Sequence, residues 1–357
     1  MKTQILKAED LNDTINQQHL KTLLTNGSLV IFPTETVYGI GGYACLQKAA
    51  QSIYAAKGRP SDNPLIVHLA YFNQITDYAY IDNPAVHTLA EAFWPGPMTL
   101  ILRKKDTIPT SVTGGLSTVA IRIPSHPVAR ILLETTNLPI AAPSANLSGK
   151  PSSTTFKHVL HDFDGKVDAI IDGGDVFIGL ESTVIDITSD TPIILRPGSI
   201  TQSMIEQVLK IPVLDQSELL IDNVAKAPGM KYKHYAPMAT LKVIRGSNSA
   251  VIDYLLTLTK ANPNIALLRP IISLLKTGII IDLGSPDNLD VIAKNLFSAF
   301  RQLDQLNVKE AYIVAITEIG LGKAIMNRIM KAANHTKKRS NTWKASMFYS
   351  TAMEIKG

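Results

Sequence analysis

Residues 33–69, PTETVYGIGGYACLQKAAQSIYAAKGRPSDNPLIVHL, constrain the fold more than any other stretch of the chain. Their order reads as a strand, a tight glycine turn, a helix, and a stiff basic loop that feeds a second strand. Gly39, Gly41 and Gly42 are expected to let the backbone turn sharply after Tyr38. Ala49, Ala50, Ile53 and Tyr54 recur at helical spacing. Lys57 and Arg59 close that helix, where cations suit the negative end of its dipole. Pro60 and Pro64 stiffen the loop, so its cations and Asn63 are held rather than waving. A rigid cationic loop beside the polar Thr34-Glu35-Thr36 turn suits a phosphorylated ligand. Taken alone, the same loop also reads as a charge complement on a solvated surface.

At 357 residues the chain exceeds one ordinary core, and two domains are expected. A hydrophobic content of 45% with 18% charged residues is that of a soluble globular protein. No apolar run reaches the roughly 18 residues that a membrane span needs. The first residues, MKTQILKAEDLNDT, carry acids where an export signal needs an apolar core, so no export and a cytoplasmic location are expected. Cys45, the single cysteine, allows neither an intrachain disulfide nor a cysteine-based metal site. The formal charge of +5 invites a nucleic-acid reading. However, the cations are scattered, the densest run (Lys337-Lys338-Arg339) lies in the tail, and aromatics are only 6%. Without basic–aromatic interleaving to stack bases, the charge suits an anionic small molecule at least as well.

From the N-terminus, a helix is expected over 11–24, stopped at Asn26-Gly27. Strands are expected over 28–32, 66–69, 98–102 and 118–123, with a helix over 85–93. The strand 118–123 carries Arg122 inside an apolar run, which is costly to bury without a partner. Arg122 therefore points either into a ligand site or into a salt bridge. A helix over 126–135 leads to a strand at 139–142, then to a loop of small hydrogen-bonding residues, Pro143 to Gly149. Ser144 and Asn146 in that loop supply neutral donors and acceptors where the backbone can approach a ligand. Strands follow over 167–171 and 193–195. Ser182 and Arg196 each sit where an apolar strand meets a turn, the usual place for ligand groups in α/β folds. A short helix at 201–209 ends this part.

The segment 227–237, APGMKYKHYAP, is unlike a plain spacer, which is glycine–serine-rich or charged. Its tyrosines, histidine and lysines between prolines read as a recognition strap or an interdomain packing segment. From 240 an alternating pattern returns: strands over 241–244, 265–268, 278–282 and 311–316, with helices over 250–259, 289–303 and 325–333. The division expected is a catalytic domain at 1–209, a linker strap at 210–239, a small α/β domain at 240–335, and a poorly ordered basic tail at 336–357. No P-loop, GxGxxG, HExxH, CxxC or GxSxG motif is present, so any nucleotide is held by scattered loops.

The ordered segments PTETVYGIGG (33–42), KGRPSDNPLIVHL (57–69), WPGPMTLIL (94–102), STVAIRIP (117–124), APSANLSGKPSSTT (142–155), ESTVID (181–186), LRPGSI (195–200) and APGMKYKHYAP (227–237) resemble the threonylcarbamoyl-AMP synthase family in its two-domain form. IMNRIMKAA, near the end of the second domain, resembles the family's appended domain. The resemblance implies an α/β fold, a twisted open sheet around a basic cavity, with a second, smaller Rossmann-like α/β domain. It implies the synthesis of threonylcarbamoyl-AMP and pyrophosphate from L-threonine, bicarbonate and ATP. The product would pass to a tRNA threonylcarbamoyltransferase for modification next to the anticodon, with no stable nucleic-acid or membrane binding. Carried over by position, Thr36, His68, Arg122 and Ser182 hold threonine. Arg59, Asn63, Thr118, Ser144, Asn146, Ser152 and Arg196 contact ATP, with Lys57 beside the phosphates and Lys57 and Arg59 as the catalytic cations. Tyr232, His234 and Tyr235 of the strap fold over the nucleotide. Mg²⁺ accompanies ATP on its phosphates and waters, with no protein cage. Two other readings remain: an RNA-binding module using the same cations, with salt-sensitive affinity, and a carbamoyltransferase without selectivity for threonine.

Overall fold

The computed structural model describes residues 2–217, 235–269, 278–333 and 352–355. The chain divides into two compact units, one of 1–148 with 152–232, the other of 149–151 with 233–357. Among the described residues no helix is long and apolar enough to cross a membrane.

The first unit is built on a mixed, eleven-stranded sheet. Its strands are β1 (Gln4–Lys7), β2 (Val30–Pro33), β3 (Tyr38–Tyr43), β4 (Ile66–His68), β5 (Met98–Arg103), β6 (Thr118–Arg122), β7 (Ile140–Ala141), β8 (Ala169–Asp172), β9 (Thr183–Asp186), β10 (Ile193–Arg196) and β11 (Leu214–Asp215). Their spatial order is β1-β8-β2-β3-β7-β4-β6-β5-β9-β10-β11. Alternation along β2 shows how the sheet is covered on both faces. Ile31 packs with Ile40, Ile53 and Val67 in the main core. Val30 and Phe32 pack on the opposite face with Leu20 and Leu24 of the helix Thr14–Thr25 and Val128 and Leu132 of the helix Pro127–Thr136.

The structure corrects the sequence reading after Tyr38. Residues 38–43 are not a turn but a buried strand, antiparallel to β2, with Val30 opposite Gly41. The glycines there serve close approach: a Cβ on Gly41 would lie 2.7 Å from both Ile140 and Phe32. The turn comes earlier, at residues 34–37, where Thr34 Oγ1 donates to the Val37 carbonyl (2.7 Å). Further elements escaped the sequence reading, among them β1, β11 and the helices Ile75–Tyr78, Thr110–Thr113 and Phe156–Phe163.

The second unit carries a five-stranded, wholly parallel sheet. It comprises β12 (Thr240–Gly246), β13 (Ala266–Arg269), β14 (Ile279–Asp282), β15 (Glu310–Val314) and β16 (Ala352–Ile355), ordered β14-β13-β15-β12-β16. Helices Asn248–Ala261, Leu289–Gln305 and Leu321–Ala332 accompany it, as its α/β alternation predicts. The tail reading is corrected at one place: residues 352–355 add an edge strand parallel to β12, while 336–351 lie outside the described residues.

Candidate active site

Period two along the strands selects which side chains reach the site. In β4 and β6, Val67, Val119 and Ile121 point into the main core. Ile66 and Ala120 instead join Ile101, Val184 and Leu195 in a small separate apolar cluster. His68 and Arg122 share their parity and stand at the ends of β4 and β6, where they are register partners.

Arg122 is buried and paired. Its Nη1 donates to Thr36 Oγ1 (2.9 Å) and its Nε to the Gly96 carbonyl (3.3 Å). Its Nη2 lies 2.6 Å from Glu35 Oε1, with both side chains only 4% exposed. The N–H bonds do not line up with that oxygen, so the contact is an ion pair without a directed hydrogen bond. Burial alone would raise the Glu35 carboxyl, but Arg122 holds it below its ordinary range, aided by the Ser125 amide. His68 is pushed down to about 3, by burial first and then by the charge of Arg122. It is therefore a neutral imidazole, with Nδ1 3.1 Å from the Ile66 carbonyl.

The turn at 94–97 links this cluster to Ser182. Gly96 accepts from Arg122, while the Pro97 carbonyl accepts from the Thr183 amide (3.0 Å). Ser182 Oγ is 2.8 Å from Thr99 Oγ1 and accepts from Arg196 Nη2 (3.0 Å). Arg196 Nε also donates to the Ser182 carbonyl (3.0 Å), which fixes the guanidinium beside the hydroxyl. Close backbone approach holds this corner, since a Cβ on Gly198 would lie 2.4 Å from the Thr183 amide nitrogen. Next to it, Ser152 Oγ donates to Glu181 Oε1 (2.6 Å).

On the other side stands the basic loop. The helix Gln47–Lys57 ends on Gly58 in the left-handed conformation (φ 60°), and the chain turns into the loop there. Lys57 is not the solvated surface charge of the plainer reading. It is buried, and its ammonium donates to the carbonyls of Ser144 and Asn146 (2.6 Å to the latter). The loop at 144–146 is thereby tied to the helix, and Ala145 is tied to the Tyr38 carbonyl (2.7 Å). Ser144 Oγ donates to Asn146 Oδ1 (2.6 Å). Arg59 Nη2 reaches the carbonyls of Asn63 and Pro64 (3.3 Å each). Asn63 is fully buried, with neither side-chain atom in a protein hydrogen bond. A buried amide without partners is costly to the fold and asks for a reason of its own.

Thr118 stands apart at the far end of β6, lining a cavity of about 280 Å³ with Tyr80, Asp82, Asn83, Arg103 and Ile187. Of the strap, Tyr232 and His234 lie outside the described residues. Tyr235 belongs to the second unit, where its ring stacks on Phe297 (5.2 Å) with the Arg328 guanidinium 5.6 Å from its centroid. Sequence reasoning placed Glu35 only in a polar turn suited to a phosphorylated ligand, and gave no role to Thr99 or Glu181. For Glu35 a signal existed: an arginine inside an apolar strand demands a counter-charge, and the turn after the preceding buried strand carries one. Among the described residues no group of three or more His, Cys, Asp or Glu side chains stands ready to hold a metal.

The fold and this cluster define a two-unit α/β protein with a buried cation set at the strand ends of its larger sheet. Comparisons with known proteins give that class its family. Residues 22–198 match the Sua5, YciO and YrdC family described as "Telomere recombination", and residues 200–334 match the "Threonylcarbamoyl-AMP synthase, C-terminal domain". A threonylcarbamoyl-AMP synthase of Pyrococcus abyssi is 44% identical over 87% of this chain and 92% of its own length. One from Bacillus subtilis is also 44% identical, over 87% and 91%. The solved structure of P. abyssi Sua5 complexed with L-threonine superposes with a TM-score of 0.88 at 38% identity, covering 100% of both chains. The chain belongs to the threonylcarbamoyl-AMP synthase family, a family of nucleotidyl-transferring enzymes.

Proposed function

We propose that this chain makes threonylcarbamoyl-AMP from L-threonine, bicarbonate and ATP. The observation that carries the reading is the buried Arg122 at the end of β6, in a fold matched throughout by a relative solved with L-threonine. A guanidinium is suited to a forked pair with an amino-acid carboxylate. Thr36, His68 and Ser182 complete a small polar setting for the rest of threonine. The chemistry then needs two steps. The neutral amine is carboxylated by bicarbonate to a carbamate with loss of water, and a carbamate oxygen attacks the α-phosphorus of ATP, so that pyrophosphate leaves. Such transfer asks chiefly for positioning and for positive charge against the developing negative charge.

Arg59 and Arg196 supply that charge, and Asn63, Ser144, Asn146 and Ser152 offer neutral contacts to the nucleotide, with Thr118 an outlying contact at the far end of β6. Lys57 acts through its charge and through the carbonyls by which it shapes the loop at 144–146. Mg²⁺ would be carried on the phosphates of ATP and on water, where it offsets their charge. The adenylate is a mixed anhydride and suits transfer to tRNA by a second enzyme. Incubation with ATP, threonine and bicarbonate tests the reading, following pyrophosphate release and the adenylate. Pyrophosphate release that requires both threonine and bicarbonate is expected. Release indifferent to threonine would overturn the proposal.

A further inference from the structure

Arg122 is placed for a substrate carboxylate only if something holds its guanidinium in the site. Two of its contacts are to neutral acceptors. The Gly96 carbonyl is 3.3 Å away, and the Thr36 hydroxyl oxygen is 2.9 Å away. The third, Glu35, is itself held from several directions. Its Oε2 accepts from the Ser125 amide (3.1 Å) and its main-chain carbonyl from the Ile178 amide (2.9 Å). Its neighbour Thr36 is held likewise by the Gly179 amide (3.0 Å). Two separate chain segments thus hold this residue, one at its carboxylate and one at its backbone, with Oε1 2.6 Å from Nη2. A guanidinium carries five N–H bonds, and the contacts at Nε and Nη1 engage two of them. The other three N–H bonds, two of them on the buried Nη2 beside Glu35, are left for a substrate acceptor to engage.

We infer that Glu35 is a positioning residue for threonine: it holds the Arg122 guanidinium at the place that receives the amino-acid carboxylate and has no part in holding ATP. The charge argument agrees. An arginine this buried, without a counter-ion, would be driven to swing toward water, which would take it out of the site. The depressed Glu35 carboxyl keeps that counter-ion ionised at neutral pH. The inference rests on the reading of Arg122 as the carboxylate partner.

The test is Glu35→Gln, which keeps the shape and the acceptor for Ser125 but removes the charge, with Glu35→Asp as the variant that keeps the charge. Each is measured by pyrophosphate release and by calorimetric threonine binding, beside the wild type, Arg122→Ala and the double variant Arg122→Ala with Glu35→Gln. Glu35→Gln should raise KM and Kd for threonine about tenfold or more, leaving KM for ATP and kcat within about twofold. Glu35→Asp should recover part of that loss, and the double variant should be no worse for threonine than Arg122→Ala alone. A merely structural role would lower the melting temperature and weaken both substrates together, and that outcome overturns the inference. So does an unchanged threonine KM in Glu35→Gln, or additive losses in the double variant. Should Glu35→Gln fail to fold, Glu35→Asp carries the same comparison of threonine against ATP. An unchanged threonine KM in Arg122→Ala would instead sink the reading of Arg122 itself.

Discussion

His68 and Arg122 are register partners across the parallel pair β4–β6, and the imidazole beside that buried cation is uncharged. Its pKa falls from 6.5 to about 3 on folding, so between those values the unfolded chain binds a proton that the folded chain refuses. Stability therefore falls as the pH is lowered through that window. The slope from this one group approaches about 1.4 kcal/mol per pH unit. Glu35, held below its ordinary value, adds a loss of the same sign further into acid. Urea unfolding from neutral pH down to about pH 5 should show a steeper decline for the wild type than for His68→Gln. Parallel curves would mean that His68 is charged in the folded protein.

Arg122→Ala should raise the threonine requirement far more than the ATP requirement. A carboxylate that loses a charged, forked partner loses about 1.5–3 kcal/mol. Steady-state kinetics with each substrate varied in turn decide it, and equal effects on both would show the residue to be misassigned. Arg122→Lys should rescue little, since a point charge cannot fork.

Arg59→Ala and Asn63→Ala should weaken ATP and spare threonine. Asn63 is the sharper case, because its buried amide has no protein partner to lose. Its replacement should therefore leave the melting temperature unchanged or raised while lowering ATP affinity. A large loss of stability, with ATP binding intact, would mark Asn63 as structural.

Lys57→Met should destabilise the first unit by about 1.5–3 kcal/mol, because two carbonyls lose a charged donor in a buried place. The expected sign of local damage is faster amide exchange at Ala145 and Ser148, whose N–H groups bond to Tyr38 and Lys57. If stability is untouched and only turnover falls, the lysine serves the phosphates alone.

Much of this was legible in the sequence because β-strands announce themselves by apolar runs and helices by spacing. The strands 98–103 and 118–122, the helix at 47–57 and the parallel α/β alternation after 240 were all visible that way. β3 was not, because YGIGGY carries glycines that signal a turn; only the packing of Ile140 and Phe32 against it explains their presence. The Arg122 problem could be posed from sequence, as a charge in an apolar strand, but not solved. Its partner lies 87 positions earlier (122 minus 35), and nothing local says that the two strands involved bring them together. The ties of Lys57 to Ser144 and Asn146, across separations of 87 and 89 residues, are invisible for the same reason.

β2 has on one flank a partner made almost at once, β3, and on the other a partner made much later, β8. Leu29, just before β2, bonds to Asp168 across a separation of 139 residues. At a synthesis rate of about 5–20 residues per second, the apolar run Val30-Ile31-Phe32 waits roughly seven to thirty seconds with one edge bare. That is long enough for a nascent chain to meet another and pair with it. Slowed translation between β3 and β8 should raise the fraction of product lost to aggregates, whereas the all-parallel sheet made afterwards should be indifferent to it.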